Sequence, residues 1–208
     1  ANEEFVVAGN KVGEIVVCKI LNPGDEPLWF KGHSSIVNDI CIHPDGNRFF
    51  SAGNDGKLIL WTINKSQNNN KLIYENIDDI SGVAASPNGN IVVCGNNKGS
   101  IVIIDLNDPE KKPSEISTGM SPVKSLEFSK DGEVLAVGKE NGFIKLYKAD
   151  SFEEPSIDLI GHTSGITSIC FNADGKTMAS SSYDKSIRIW NYAEPETQPV
   201  IIERNDSW

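Results

Sequence analysis

Two sets of serine, histidine, aspartate and tryptophan carry the side chains in this 208-residue chain that could do chemistry. The sets are His33, Ser51, Asp55 and Trp61, and His162, Ser180, Asp184 and Trp190. Serine, histidine and aspartate form the triad of many hydrolases, in which the histidine activates the serine oxygen. A hydrolase, however, places such a triad once, next to donors that stabilise an oxyanion. Because the set occurs twice, 129 residues apart, we expect no catalytic residues and predict that the chain is not an enzyme.

The distance of 129 residues is three times a 43-residue period that runs through the chain. The two tryptophans belong to a series of equivalent positions with this spacing, which are Cys18, Trp61, Ile104, Tyr147 and Trp190. Two-residue turn signals repeat at the same interval, as Asp45-Gly46, Asn88-Gly89, Asp131-Gly132 and Asp174-Gly175. No insertion interrupts this register, so the sequence predicts a repeat protein.

The repeat unit is clearest between Gly161 and Trp190. Residues 166–171 alternate in polarity and indicate a first strand, and residues 178–182 and 186–190 indicate a second and a third. Asp174-Gly175 predicts a two-residue hairpin turn of the primed type, in which both residues have positive φ. Three strands joined by hairpins cannot bury both of their faces, so each unit must stack on its neighbours.

The repeat resembles the WD40 family. A Gly-His pair, followed about two dozen residues later by Asp and then by Trp six positions on, occurs from Gly32-His33 to Trp61 and from Gly161-His162 to Trp190. The other repeats depart from the motif at the His or Asp position, where they carry Val12, Asn76, Lys98, Gly119 and Asn141. The resemblance implies a β-propeller, in which each repeat forms a blade of four strands.

The expected fold is all-β, a sector of a WD40-like propeller with four complete four-stranded blades and one partial blade. The partial blade covers residues 1–30 and the complete blades cover 31–76, 77–119, 120–160 and 161–203. Residues 204–208 are expected to start the next repeat. Because the array opens and closes within a repeat, we expect it to be part of a longer chain.

Composition limits the classes of partner. The formal net charge of −10 argues against nucleic acid, because phosphate binding needs a concentrated cationic surface. No run of apolar residues is long enough for a membrane helix. The sequence offers no metal-ligand spacing, so we expect neither a metal nor another cofactor. The cysteines, Cys18, Cys41, Cys94 and Cys170, are expected to be small buried hydrophobic residues of strands, which suits a reducing, cytoplasmic compartment.

The resemblance also implies roles for particular residues. The two Ser-His-Asp-Trp sets would be buried hydrogen-bonding networks that hold their blades together. Partner contacts would come from the narrow face, at the position five residues after the His register and just before the Asp register. The first group is Asn38, Ser81, Lys124 and Thr167, and the second is Lys11, Asn54, Asn97, Glu140 and Tyr183. Tyr183 is the best candidate for an anchor, because aromatic residues dominate binding hot spots.

The function predicted from these observations is a non-catalytic platform that binds a protein or peptide, with other domains of the same chain as further partners. An alternative is that the repeats form the sensor or regulatory domain of a larger signalling ATPase or effector enzyme, since they resemble the repeat tails of bacterial STAND-type ATPases. A third interpretation is a structural subunit of an assembly. An upstream Walker motif would favour the ATPase, and constant stoichiometry with partners would favour the structural subunit.

Overall fold

A computed structural model describes residues 5–21, 24–63, 70–76, 78–152 and 155–203, except for the side chains of residues 155 and 156. The predicted start of a further repeat at 204–208 lies outside the described residues. The described strands, in chain order, are β1 Phe5–Gly9, β2 Glu14–Lys19, β3 Leu28–Lys31, β4 Val37–Ile42, β5 Arg48–Gly53, β6 Lys57–Thr62, β7 Asn70–Glu75, β8 Ile80–Ala85, β9 Ile91–Asn96, β10 Ser100–Asp105, β11 Ser114–Ser117, β12 Val123–Phe128, β13 Val134–Lys139, β14 Ile144–Lys148, β15 Pro155–Leu159, β16 Ile166–Phe171, β17 Thr177–Ser182, β18 Ser186–Asn191 and β19 Val200–Glu203.

The strands form five separate antiparallel sheets, each a simple meander. Blade 1 contains β1–β3, and blades 2 to 5 contain β4–β7, β8–β11, β12–β15 and β16–β19. The described residues contain no helix. The all-β prediction of four complete blades and one partial blade is confirmed.

The first strands of blades 2 to 5 lie next to one another at the centre of the array. Each has a bulge at the same register, between Val37 and Asp39, Ile80 and Gly82, Val123 and Ser125, and Ile166 and Ser168. An inner strand is also a sheet edge, so its outward N–H groups need acceptors from elsewhere. Several are supplied by the preceding blade: Val83 N donates to Asp39 at 2.9 Å and Ile169 N donates to Ser125 Oγ at 3.1 Å.

The hydrophobic core lies between blades rather than within them. At the first seam, Ile15 and Phe30 of blade 1 pack against Phe49 and Trp61 of blade 2. Phe30 and Trp61 meet edge to face, with ring centroids 5.6 Å apart. Three further clusters fill the seams between blades 2 and 3, 3 and 4, and 4 and 5. Because each face is buried by a neighbouring blade, the units stabilise one another, as the sequence argument requires.

The predicted primed type for the Asp-Gly turns is wrong. Glycine has positive φ at each of these turns, with a value of 72° at Gly46, but the preceding residue does not. Asp45 instead accepts hydrogen bonds through Oδ1 from the backbone N–H groups of Asn47 and Arg48. This side-chain cap closes a longer loop, so only the glycine has to enter the left-handed region.

The second turn of each blade carries a glycine with φ between 73° and 87°, except in blade 5. These glycines are Gly13, Gly56, Gly99 and Gly142. Blade 5 has Lys185 in the same register, with φ 70°. A side chain in the left-handed region is strained, because Cβ approaches the carbonyl oxygen that follows it.

The prediction that all four cysteines are buried is wrong for two of them. Cys94 is buried in the seam between blades 2 and 3, and Cys41 is half-buried, with its thiol accepting the Ala85 N–H from the next blade. Cys18 and Cys170 are exposed. Cys170 has the register of Cys41, but it lies in blade 5, where no described blade covers that side. The environment of the seam, rather than the strand, therefore determines the burial of a thiol.

Candidate functional site

The first Ser-His-Asp-Trp set forms a continuous chain of hydrogen bonds in blade 2. Trp61 Nε1, which can only donate, bonds to Ser51 Oγ at 2.7 Å. The Ser51 hydroxyl therefore donates to His33 Nε2, 2.6 Å away, and His33 Nδ1–H donates to Asp55 Oδ1 at 2.8 Å. Asp55 also accepts the N–H of Ser34 at 2.9 Å.

The second set repeats this geometry in blade 5. Trp190 Nε1 and His162 Nε2 each lie 2.8 Å from Ser180 Oγ, and His162 Nδ1 lies 2.7 Å from Asp184 Oδ2. Burial alone would raise the pKa of Asp184, but hydrogen bonds from Ser186, His162 and Thr163 lower it well below its ordinary value. The carboxylate is therefore held in its charged form as the acceptor of the network.

The geometry of both sets fits a structural hydrogen-bond network better than a catalytic triad. The side chains of His33 and His162 are fully buried, and Ser51 and Ser180 are at most 1% exposed. Each serine oxygen already bonds to tryptophan and histidine, so a substrate carbonyl cannot reach it. A buried network whose members are all bonded stiffens the blade.

Blade 4 has a different network, which the sequence analysis missed. The ammonium group of Lys139 is buried and donates to Thr118 O at 2.7 Å, Thr118 Oγ1 at 2.8 Å and Gly119 O at 2.9 Å. Gly119 occupies the repeat position that histidine occupies in blades 2 and 5. The Lys139 ammonium group therefore bonds to the loop that contains this position. Burial is the main cause that lowers the pKa of Lys139, to about 8, and Lys145 contributes a smaller Coulombic effect. No sequence motif marks this replacement, because Thr118 and Gly119 lie about 20 residues before Lys139 and meet it only in the folded blade.

The predicted narrow-face residues lie either at the start of an inner strand or just after the strand that is paired with it. Five of them surround one pocket of about 260 Å³. We call it the rim pocket. Its lining consists only of polar residues, which are Asn38, Asn54, Asp79, Ser81, Asn97 and Lys124. Asp79 is the residue that the sequence analysis missed. It lies directly before β8, and its side chain accepts a hydrogen bond from Asn97 Nδ2 at 3.2 Å.

The other predicted narrow-face residues lie around this pocket or apart from it. Glu140 is 3.9 Å from the Lys124 ammonium group. Thr167 bonds to Ser181 Oγ at 2.8 Å. It also lines a second pocket, of about 420 Å³, which is formed by β4, β8, β12 and β16 and which we call the channel. Tyr183 is 69% exposed on the rim of blade 5, and Lys11 is exposed in blade 1. The structure thus brings five predicted residues together and leaves Tyr183 on a different part of the same face.

The channel contains a half-buried carboxylate, Asp39. It accepts the N–H groups of Val83 and Ile40, both at 2.9 Å. Burial is the main cause that raises the pKa of Asp39 to about 6, and the two backbone hydrogen bonds oppose this effect. Glu127 lines the same channel, and burial also raises its pKa.

The described part of the chain has neither a metal-binding cluster nor a membrane-spanning helix. No group of three or more His, Cys, Asp or Glu side chains there could hold a metal ion. No helix in that part is long and apolar enough to cross a membrane.

The radial blades, the seam cores and the Ser-His-Asp-Trp networks at a 43-residue period define a β-propeller of the WD40 class. Residues 38–206 match the family described as the second β-propeller of echinoderm microtubule-associated protein, and the chain belongs to that family. Propellers of this class typically bind proteins and are generally non-catalytic.

One curated relative is the small ribosomal subunit protein RACK1 of Candida albicans. It is 44% identical to this chain over 45 residues. The match covers 22% of this chain and only 13% of that protein. The similarity therefore amounts to about one repeat and supports the class of protein rather than a particular function.

Proposed function

We propose that this chain is a protein-interaction platform whose narrow face receives a segment of a partner polypeptide. The observation that carries the proposal is the convergence of five residues, from two registers of three blades, on the rim pocket. Their polar groups would bond to the partner segment, and the exposed ring of Tyr183 would provide an apolar contact away from the pocket.

The blades suit such a role because they are rigid. Each blade is fixed to its neighbour by a packed seam and by hydrogen bonds such as that from Asn38 Nδ2 to Ile80 O, at 2.7 Å. A preformed surface loses little conformational entropy when a partner binds, so more of the contact free energy contributes to affinity.

The names of the similar proteins suggest the setting. The matched family is named for a microtubule-associated protein, and the RACK1 relative is named as a ribosomal subunit protein. Both names support assembly with a larger protein structure. All four cysteines are free thiols, which fits the reducing conditions of the cytoplasm.

A sensor domain of a larger ATPase or effector enzyme would use the same face. No described residue and neither comparison favours that interpretation over a platform. We therefore propose the platform function.

The proposal can be tested by selecting twelve-residue peptides from a display library on the immobilised chain. We expect Lys124→Glu combined with Tyr183→Ala to weaken the selected peptides at least about tenfold, because a charge and an aromatic contact are lost. Lys112→Glu, at the opposite end of the blades, is the matched control and should leave binding unchanged. Circular dichroism should be native for both variants. Full binding by a natively folded narrow-face variant would refute the proposal.

Association with the cytoskeleton is a separate test that the family name suggests. The full chain would be pelleted with polymerised tubulin, with the same two variants as comparison. Loss of co-pelleting in the narrow-face variant alone would support this partner. Absence of co-pelleting would exclude polymerised tubulin as the partner of this face.

A further inference from the structure

The rim pocket has a specific pattern of hydrogen-bonding groups. Three carboxamides, from Asn38, Asn54 and Asn97, lie around it with the Ser81 hydroxyl, and no aliphatic or aromatic side chain lines it. With a volume of about 260 Å³, it can hold one partner side chain or a short piece of backbone, rather than a drug-sized ligand.

Bonds within the site determine how the carboxamides are oriented. Asn38 Nδ2 must donate to the carbonyl oxygen of Ile80, which fixes the amide of Asn38. The same nitrogen bonds to Asn54 Oδ1, which turns Asn54 Nδ2 away from Asn38. Asn97 Nδ2 is fixed in the same way by the Asp79 carboxylate, and the Ser81 hydroxyl bonds to Gly95 O and Val123 O.

Both donors and acceptors remain for a ligand. No hydrogen bond among the described residues uses Asn54 Nδ2, Asn38 Oδ1 or Asn97 Oδ1. Asn54 therefore offers N–H groups, and the two other asparagines offer carbonyl oxygens. Such a set complements a group that has an N–H and a C=O side by side.

The charges at the pocket oppose an ionic ligand. Asp79 and Lys124 contribute one negative and one positive charge, so the lining has no net formal charge. A carboxylate would be attracted by Lys124, but that ammonium group already lies 3.9 Å from Glu140, and the carboxylate would also meet the oxygens of Asp79, Asn38 and Asn97. A guanidinium group would leave the Asn54 donor without an acceptor and would meet the Lys124 ammonium group.

We propose that the rim pocket recognises a neutral amide group of the partner polypeptide. The group is either the side-chain carboxamide of glutamine or asparagine, or a peptide unit of the backbone. This inference rests on the proposed function, because it assigns the chemistry of the same face. Asn54 would donate to the amide oxygen. A carboxamide NH₂ would donate to both Asn38 and Asn97, and the single N–H of a peptide unit would donate to one of them.

The test uses capped amino acids as probes and the side-chain NH₂ resonances of ¹⁵N-labelled protein as the readout. The probes are the N-acetyl methylamides of glutamine, glutamate, arginine and methionine. We expect the glutamine probe to shift the Asn54 NH₂ resonances in a saturable way. If the side-chain carboxamide is the recognised group, the glutamate and arginine probes should bind at least about fivefold more weakly. A methionine probe as effective as glutamine identifies the backbone peptide unit as the recognised amide. A weaker methionine probe identifies the side-chain carboxamide.

Variants complete the experiment. Asn54→Asp replaces the donor with an acceptor at constant shape and should weaken the glutamine probe about tenfold. Asn90→Asp, on an exposed turn at the other end of the blades, is the control and should have no effect. The assignment is overturned if the glutamate or arginine probe binds best, or if no probe shifts the Asn54 resonances. Display peptides that still depend on Lys124 and Tyr183 would then leave the proposed interaction face standing.

Discussion

Asp39→Asn tests whether a half-buried carboxylate makes the seam between blades 2 and 3 sensitive to pH. The carboxylate accepts backbone N–H groups from Ile40 and, across the seam, from Val83. No cation bonds to it among the described residues. The charged groups that share its channel are Glu127 and Lys124, both on β12.

The size of the effect follows from the pKa. Burial raises the pKa of Asp39 from 3.8 to about 6, so the folded chain holds a proton that the unfolded chain has released between these two values. Stability therefore falls as the pH rises through this window, by about 3 kcal/mol in total. The asparagine side chain has no such titration, but it loses one acceptor oxygen, which costs about 1 kcal/mol at every pH.

Between pH 4 and pH 7, ionisation of Asp39 should lower the unfolding free energy of the wild type by about 2 to 3 kcal/mol. The variant lacks this titration, so its unfolding free energy should rise by that amount relative to the wild type. The measurement is urea unfolding, followed by tryptophan fluorescence, at four or five pH values. The other titrating groups, including Asp184, are the same in the two proteins, so their effects cancel when the two stability curves are subtracted. The exception is Glu127, whose pKa depends in part on the charge of Asp39. Two parallel stability curves would refute the reasoning.

Four further substitutions test the blades by the same urea unfolding at pH 7. Asp184→Ala leaves the buried His162 without its acceptor and should lower the unfolding free energy by about 1–3 kcal/mol, and an unchanged value would show that the network is dispensable. Because hydrogen bonds lower the pKa of Asp184, its contribution is complete above the unfolded pKa and is lost as the pH falls towards the folded one. Lys185→Gly should raise stability by about 1 kcal/mol by relieving the left-handed backbone. The opposite change, Gly99→Lys, should lower it, because the added Cβ would clash with the Gly119 carbonyl oxygen, and a variant as stable as the wild type would contradict this account. Lys139→Met leaves two loop carbonyls without their donor and should cost about 1–3 kcal/mol, whereas a more stable variant would mean that burying the ammonium group costs more than its bonds return.

The fold could be predicted from sequence because it depends on a period. Equivalent residues such as Trp61 and Trp190 recur at 43 residues, and a strict register leaves few ways to place strands. The positions of the rim residues followed from the same register. Five of them meet at one pocket because they come from neighbouring blades whose inner strands adjoin.

What could not be predicted depends on contacts between blades. Lys139 carries no motif, and its role is visible only when Thr118 and Gly119 are placed beside it. The burial of Asp39 and the exposure of Cys170 depend on whether a neighbouring blade covers the strand. Periodicity in the sequence indicates where the strands lie. The surroundings of each side chain depend on how neighbouring blades pack, which the sequence pattern does not show.

The arrangement of the seams also determines how the chain can fold during its synthesis. Every substantial contact between described strands joins strands of the same blade or of neighbouring blades. A blade therefore finds all the partners of one face in the preceding 43-residue repeat, which the ribosome has already released. At about 5 to 20 residues per second, one repeat takes roughly 2 to 9 seconds to appear, whereas a hairpin forms in about 10 microseconds. Each blade can thus complete its hairpins and close one seam before the next repeat has emerged, so little apolar strand surface remains exposed at any stage of translation.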